Sequence, residues 1–229
     1  MKENKQHFFA EVMESSLGNF VAQTWDWKNI PEFGSLICVE NNNQINLGVI
    51  SQINTGTIDS SRYPFPYKKT EEELLSEQPQ IFEFLRTTFR VQVIGYVDIS
   101  KRPFLDGKNN STNFERSELL ASKDERVQTI FYQIPPRPCK IHSFVANVSK
   151  EIALNFFSKP DFMYLLFSFE KEISNLDELL LAILKQLADR SLLSETYVGE
   201  FYETLSLLVG NDYKRLKLFL KRANYLLKV

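Results

Sequence analysis

A chain of 229 residues has room for one large domain, or for a small domain with a helical appendage, and excludes a multidomain enzyme. With 43% hydrophobic and 24% charged residues it is composed as a folded chain rather than a disordered one, and 19 Phe, 9 Tyr and 2 Trp can fill a sizeable core. A formal net charge of −2 excludes a general electrostatic pull toward nucleic acid or anionic membrane, and no apolar run reaches the roughly 18 residues that span a bilayer.

Residues 1–9 carry no apolar signal core, so a cytoplasmic protein without membrane insertion is expected. In chain order, residues 8–13 and 20–25 are β-rich runs on either side of Leu17-Gly18-Asn19, the pattern of a hairpin. A turn at 30–34 delivers a strand over 35–40. Asn41-Asn42-Asn43 makes a polar turn, and a strand follows over 45–53 with Gly48 marking a bulge or bend. Thr70, followed by Glu71, Glu72 and Glu73, has the spacing of a capping box, so a helix is predicted from here to about Phe84, interrupted at Pro79. The clearest strand runs over 89–97, where apolar residues alternate from Phe89 to Val93. Residues 100–126 are polar and aperiodic, with an exposed turn at 106–111. Strands are predicted over 127–132 and 140–145, joined by a stiff connector containing Pro135, Pro136 and Pro138.

From residue 150 the period changes to about 3.6, giving helices over 161–169, 176–188, 194–208 and 212–227. The predicted fold is therefore α+β. A β-barrel domain occupies 1–150, with a helical insertion near 70–86, and an α-helical domain occupies 151–229. Trp25, Phe33, Leu36, Val49, Val91, Val93, Phe131 and Phe144 are the expected barrel core.

Motifs for chemistry are sparse. Asp106-Gly107-Lys108 lacks the first glycine and the hydroxyl of a P-loop, and neither a dinucleotide fingerprint nor a nucleophile elbow occurs. His7 and His142 have no metal-ligand companion at helical or hairpin spacing. A triad of His142 with Ser143 or Cys139 is disfavoured because neighbours on a strand point to opposite faces. Cys38 and Cys139 read as buried reduced thiols. The acids at 71–73 serve a helix N-terminus, and Asp124-Glu125 and Asp177-Glu178 a solvated face. No catalytic residue, metal ligand or cofactor is expected.

Two segments stand out for binding. The loop Tyr63, Phe65, Tyr67, Lys68, Lys69 mixes aromatics with bases; it either folds back over a barrel end or forms a recognition patch. Residues 210–229 hold six Lys or Arg against one acid, while 151–209 hold ten acids against four bases. The last helix then docks on the acidic helices before it, or presents Lys214, Lys217, Lys221 and Arg222 to an acidic partner or to phosphates.

The order of Phe9-Ala10-Glu11-Val12, Gly18-Asn19-Phe20, Phe33-Gly34-Ser35-Leu36-Ile37 and Leu47-Gly48-Val49-Ile50 resembles the HerA–ATP synthase (HAS) barrel family. So do the strand Val91-Gln92-Val93-Ile94-Gly95-Tyr96 and the proline segment before His142-Ser143-Phe144-Val145. The resemblance covers residues 7–150. It implies that residues 1–150 form a six-stranded antiparallel β-barrel, a bacterial docking barrel of the kind that precedes the motor domain in HerA-type DNA-pumping ATPases and rotary ATP synthase subunits. This chain departs from that pattern: helices follow where the family carries a P-loop motor, and no family catalytic residue has a counterpart. The expected function is a non-enzymatic protein-interaction or assembly module that docks to a larger complex, ATPase-containing ones included. The alternative is a nucleic-acid-associated accessory factor of HerA-type DNA processing. A protein partner is expected, and the sequence leaves oligomerisation open.

Overall fold

The computed structural model describes residues 8–41, 44–57, 65–98 and 130–227. Tyr63, the turn predicted at 106–111, the acids Asp124 and Glu125, and strand residues 127–129 lie outside them.

The predicted hairpin forms from β1 (Phe8–Ser15) and β2 (Asn19–Thr24), paired antiparallel from Ala10↔Thr24 to Ser15↔Phe20. β3 (Leu36–Asn41) pairs with β4 (Gln44–Thr57), and β4 with β5 (Leu85–Asp98). β4 and β5 are 14 residues each, longer than the patterns 45–53 and 89–97 suggest. The register slips between Leu47 and Gly48, so the expected bulge is present. A side chain at Gly48 would meet Val91 Cγ1 and the Gln92 carbonyl, so only hydrogen fits where β5 crosses.

β6 (Ile130–Phe131) adds to β5, and β7 (Phe144–Asn147) lies between β1 and β3. Pairing of β2 with β5, from Asn19↔Gln92 to Gln23↔Thr88, closes the sheet on itself. The six strands β1-β2-β5-β4-β3-β7 thus close into an antiparallel barrel, with β6 outside the ring. The strand expected over 140–145 begins later. Lys140 to His142 form a turn closed by Ser143 N–H to the Lys140 carbonyl at 3.1 Å, with His142 at φ 67°.

Thr70 caps α1 (Glu71–Glu77) through the full capping box, and Pro79 starts α2 (Gln80–Glu83), as the sequence predicts. α3 (Lys150–Phe156), α4 (Phe162–Ser168), α5 (Leu176–Asp189), α6 (Glu195–Val209) and α7 (Tyr213–Leu226) make up the C-terminal part. Asn175, Ser194 and Asp212 cap α5, α6 and α7 by accepting from the N–H three residues on.

Two cores result. Ala10, Val12, Phe20, Ala22, Ile37, Val39, Ile50, Phe89, Val91, Val93 and Val145 fill the barrel interior. Leu36, Cys38, Ile45, Leu47, Val49, Ile94 and Val97 point the other way and share one cluster with Phe156, Phe162, Leu180 and Phe201 of the helices. Of the eight expected core residues, Val91 and Val93 are inside the barrel, whereas Leu36 and Val49 are buried beneath the helices. Phe33 and Phe131 are half-buried, and Phe131 stacks on Tyr96 at 5.0 Å. Trp25 and Phe144 contradict the expectation: each is 49% exposed. The cause is parity. Phe20, Ala22 and Thr24 point inward on β2, so the next residue points out, and Val145 takes the inward place that Phe144 was expected to hold.

Gly34 packs directly against α5. Its φ is +81°, and a Cβ there would lie 2.7 Å from Ala182 Cβ and 3.0 Å from the Ala182 carbonyl carbon on α5. We predict that Gly34→Ala lowers stability by about 2–4 kcal/mol, combining a left-handed backbone cost with overpacking. Urea unfolding midpoints would measure it, and a neutral result would mean that α5 can shift away from the turn.

Candidate interaction surfaces

Phe65 is 63% exposed and its ring lies 4.2 Å from that of half-buried Tyr67. Lys68 adopts a left-handed conformation (φ 58°) that turns the chain into α1, and its side chain is exposed. Lys69 pairs with Glu77 at the far end of α1, while Lys28 pairs with Glu71 at its start at 2.6 Å. Lys69 is therefore matched within the chain, and Phe65 and Lys68 are the open members of this loop.

The basic helix α7 divides into two faces. Inward, Phe219 and Ala223 are buried, and Phe219 stacks on Phe201 of α6 at 6.3 Å. Arg215 donates from Nε to both Asp177 oxygens at 2.9 and 3.1 Å and from Nη2 to Asp177 Oδ1 at 2.7 Å. Its Nη1 lies 2.6 Å from Glu170 Oε1, and its guanidinium sits 5.7 Å from the Phe167 ring centroid. Arg222 grips Glu178 with both terminal nitrogens at 2.6 and 2.7 Å. The Asp177 hydrogen bonds, and then those of Glu170, raise the Arg215 pKa despite partial burial; Arg222 lowers that of Glu178. Asp177 and Glu178 are thus docking groups for α7, not the solvated face expected. Outward, Lys214, Lys217 and Lys221 are exposed, and among the described residues no carboxylate pairs with them. Tyr213 (75%), Leu218 (54%) and Tyr225 (73%) are exposed beside them.

The third surface follows from the parity that turns Trp25 and Phe144 outward. The two rings meet edge to face at 5.4 Å, and Phe8 adds a third ring 5.5 Å from Phe144. The Trp25 backbone N–H donates to the Phe9 carbonyl at 3.0 Å, fixing the main chain beside β1. His142, two residues before Phe144, has its Nδ1 2.6 Å from Glu11 Oε1. Aromatic character alone assigns Trp25 and Phe144 to the core and gives no signal for a surface wall. The period-2 pattern of 20, 22 and 24 was the signal that could have found Trp25.

Both cysteines are buried and unpaired. Burial pushes the Cys38 thiol up to about 12 and raises that of Cys139, which accepts from Asn46 Nδ2 at 3.1 Å. Among the described residues, no cluster of His, Cys, Asp and Glu could hold a metal ion, and no helix is long and apolar enough to cross a membrane. No protein-family model matches the chain, and no curated protein matches it.

Three outcomes are expected. Arg215→Ala costs about 1–2 kcal/mol because two carboxylates lose a partly buried fork, whereas Lys217→Ala stays within about 0.5 kcal/mol; thermal melts compare them. Glu178, whose folded pKa is lowered, contributes stability above its ordinary 4.5 that is lost as pH falls through the folded value. The acid limb of a stability curve should therefore flatten in Glu178→Gln. Native protein at pH 8 should leave a thiol reagent unreacted until denaturant is added, because both thiols are buried and burial disfavours their thiolates.

Proposed function

We propose that the chain is a non-enzymatic interaction module, a HAS-like barrel that docks onto a larger protein assembly. The observation that carries this reading is the three-ring wall of Phe8, Trp25 and Phe144 on the barrel exterior. Rings that already touch one another lose little conformational freedom on binding, and half-exposed Trp and Phe supply the large apolar anchors that dominate protein interfaces. The closed six-stranded barrel gives these rings a rigid support. The Phe65–Tyr67 loop is a second set of aromatic anchors on a loop, where binding residues are commonly placed. An assembly containing a separate ATPase is the partner that the HAS-like reading favours.

Placing a photo-crosslinking residue at position 144 in cells of the native host tests this, with position 159 as the exposed control. The expected result is a protein adduct at 144 and none at 159. Trp25→Ser combined with Phe144→Ser should weaken capture by at least about tenfold while costing only about 1 kcal/mol of stability. Adducts to nucleic acid alone, or capture indifferent to the two substitutions, would overturn the reading.

A further inference from the structure

We propose that the outward seam of α7, formed by Lys214, Leu218, Lys221 and Tyr225, is a docking site for an acidic amphipathic helix of a partner protein. The proposal rests on the interaction-module reading and adds to it a second surface with a defined partner chemistry.

The four residues are spaced four, three and four apart, which is the spacing of one coiled-coil seam. Leu218 and Tyr225 take one position of that repeat, and Lys214 and Lys221 take the other. All four are exposed, Leu218 at 54% and Tyr225 at 73%. The seam has regular helical geometry over its whole length, since α7 runs unbroken from Tyr213 to Leu226. Its opposite face is already occupied, by Phe219 and Ala223 against the other helices.

Charge selects the occupant. α7 carries five bases and no acid between Tyr213 and Leu226. Its two arginines are spent inside the chain, on Asp177, Glu170 and Glu178. Its three lysines face outward, with no carboxylate paired to them among the described residues. Guanidinium groups are the forked donors that suit phosphates, and here they are not available, which disfavours a nucleic-acid strand. Leu218 lies between the two seam lysines and offers nothing to a phosphate backbone. A helix laid along α7 repeats at the same rise, so acids seven residues apart meet lysines about 10 Å apart along the axis. Apolar side chains between those acids then cover Leu218 and Tyr225. Such a helix satisfies both the charge and the apolar area, as helix-on-helix recognition requires.

The test uses the full chain and three fluorescent probes. One is a peptide of about three heptads with Leu and Glu at the two seam positions, the second is its scrambled isomer, and the third is an oligothymidylate of about twenty nucleotides. Anisotropy titrations at about 50 and 300 mM salt separate specific docking from screened charge attraction. The patterned peptide should bind at both salts, at least roughly tenfold tighter than the scramble. Lys214→Glu with Lys221→Glu should remove that binding, and so should Leu218→Asp; both sets are exposed and should leave the melting temperature unchanged. Trp25→Ser with Phe144→Ser should leave peptide binding intact, which separates a failure here from a failure of the barrel-wall reading. Absence of peptide binding, equal binding of peptide and scramble, or binding of the oligonucleotide alone would overturn the proposal. A dimer in sedimentation that Leu218→Asp dissolves would also overturn it, because a second copy of this chain would then cover the seam.

Discussion

Two-sided burial of β3, β4 and the middle of β5 is the constraint on which the rest of this structure depends. A barrel of six strands has a thin interior, and half of each strand's side chains face away from it. Here the inward set is Ile37, Val39, Ile50, Phe89, Val91 and Val93, and the outward set of Leu36, Ile45, Leu47, Val49 and Ile94 is equally apolar. Left in water, that outer wall would be a large exposed apolar patch. The helices cover it, and their own apolar faces need a wall of this kind: α5 buries Leu176, Leu179, Leu180, Leu181, Ile183, Leu184 and Leu187. Close approach is possible because Gly34 yields to Ala182, and because Gly18 offers the Phe169 ring a surface with no side chain.

The proline-rich connector solves a related problem. Pro135, Pro136 and Pro138 have no N–H to give a sheet, and the carbonyls beside them still need donors. Side-chain amides supply them. Asn41 Nδ2 donates to the Pro138 carbonyl at 2.6 Å, and Gln44 Nε2 to the Arg137 carbonyl at 3.0 Å. Gln44 also donates to Asn46 Oδ1 at 2.8 Å, and Asn46 to Cys139 Sγ, so a short polar chain fixes the connector across β4. The sheet resumes at Phe144, after the left-handed turn at His142, and this sets which face each residue of β7 occupies.

On α7 the division between arginine and lysine is physical. Arg215 and Arg222 use planar forks that match carboxylates at fixed geometry, and so they serve the intramolecular joint with α4, α5 and the turn between them. The lysines are compact, strongly hydrated charges that remain favourable in water. One helix thereby closes the bundle on one side and presents a cationic, partly apolar strip on the other.

Much of this is legible in the amino-acid sequence. The hairpin at Gly18-Asn19, the bulge at Gly48, the Thr70 capping box and the Pro79 break are local signals, written in residues a few positions apart. The charge contrast between residues 151–209 and 210–229 offered docking of α7 on those acids as one of two readings, and Arg215 and Arg222 take that course. Chain closure was not written locally, since β2 pairs with β5 across some seventy residues. Nor was it local which wall of the barrel the helices would cover. That choice buried Leu36 and Val49 under α-helix and left Trp25 and Phe144 in solvent, because a strand's alternation assigns residues to two faces without saying what lies over either. Hydrophobic pattern and capping chemistry determined the elements; the competition of two apolar walls for one set of helices decided which aromatic side chains remain open to a partner.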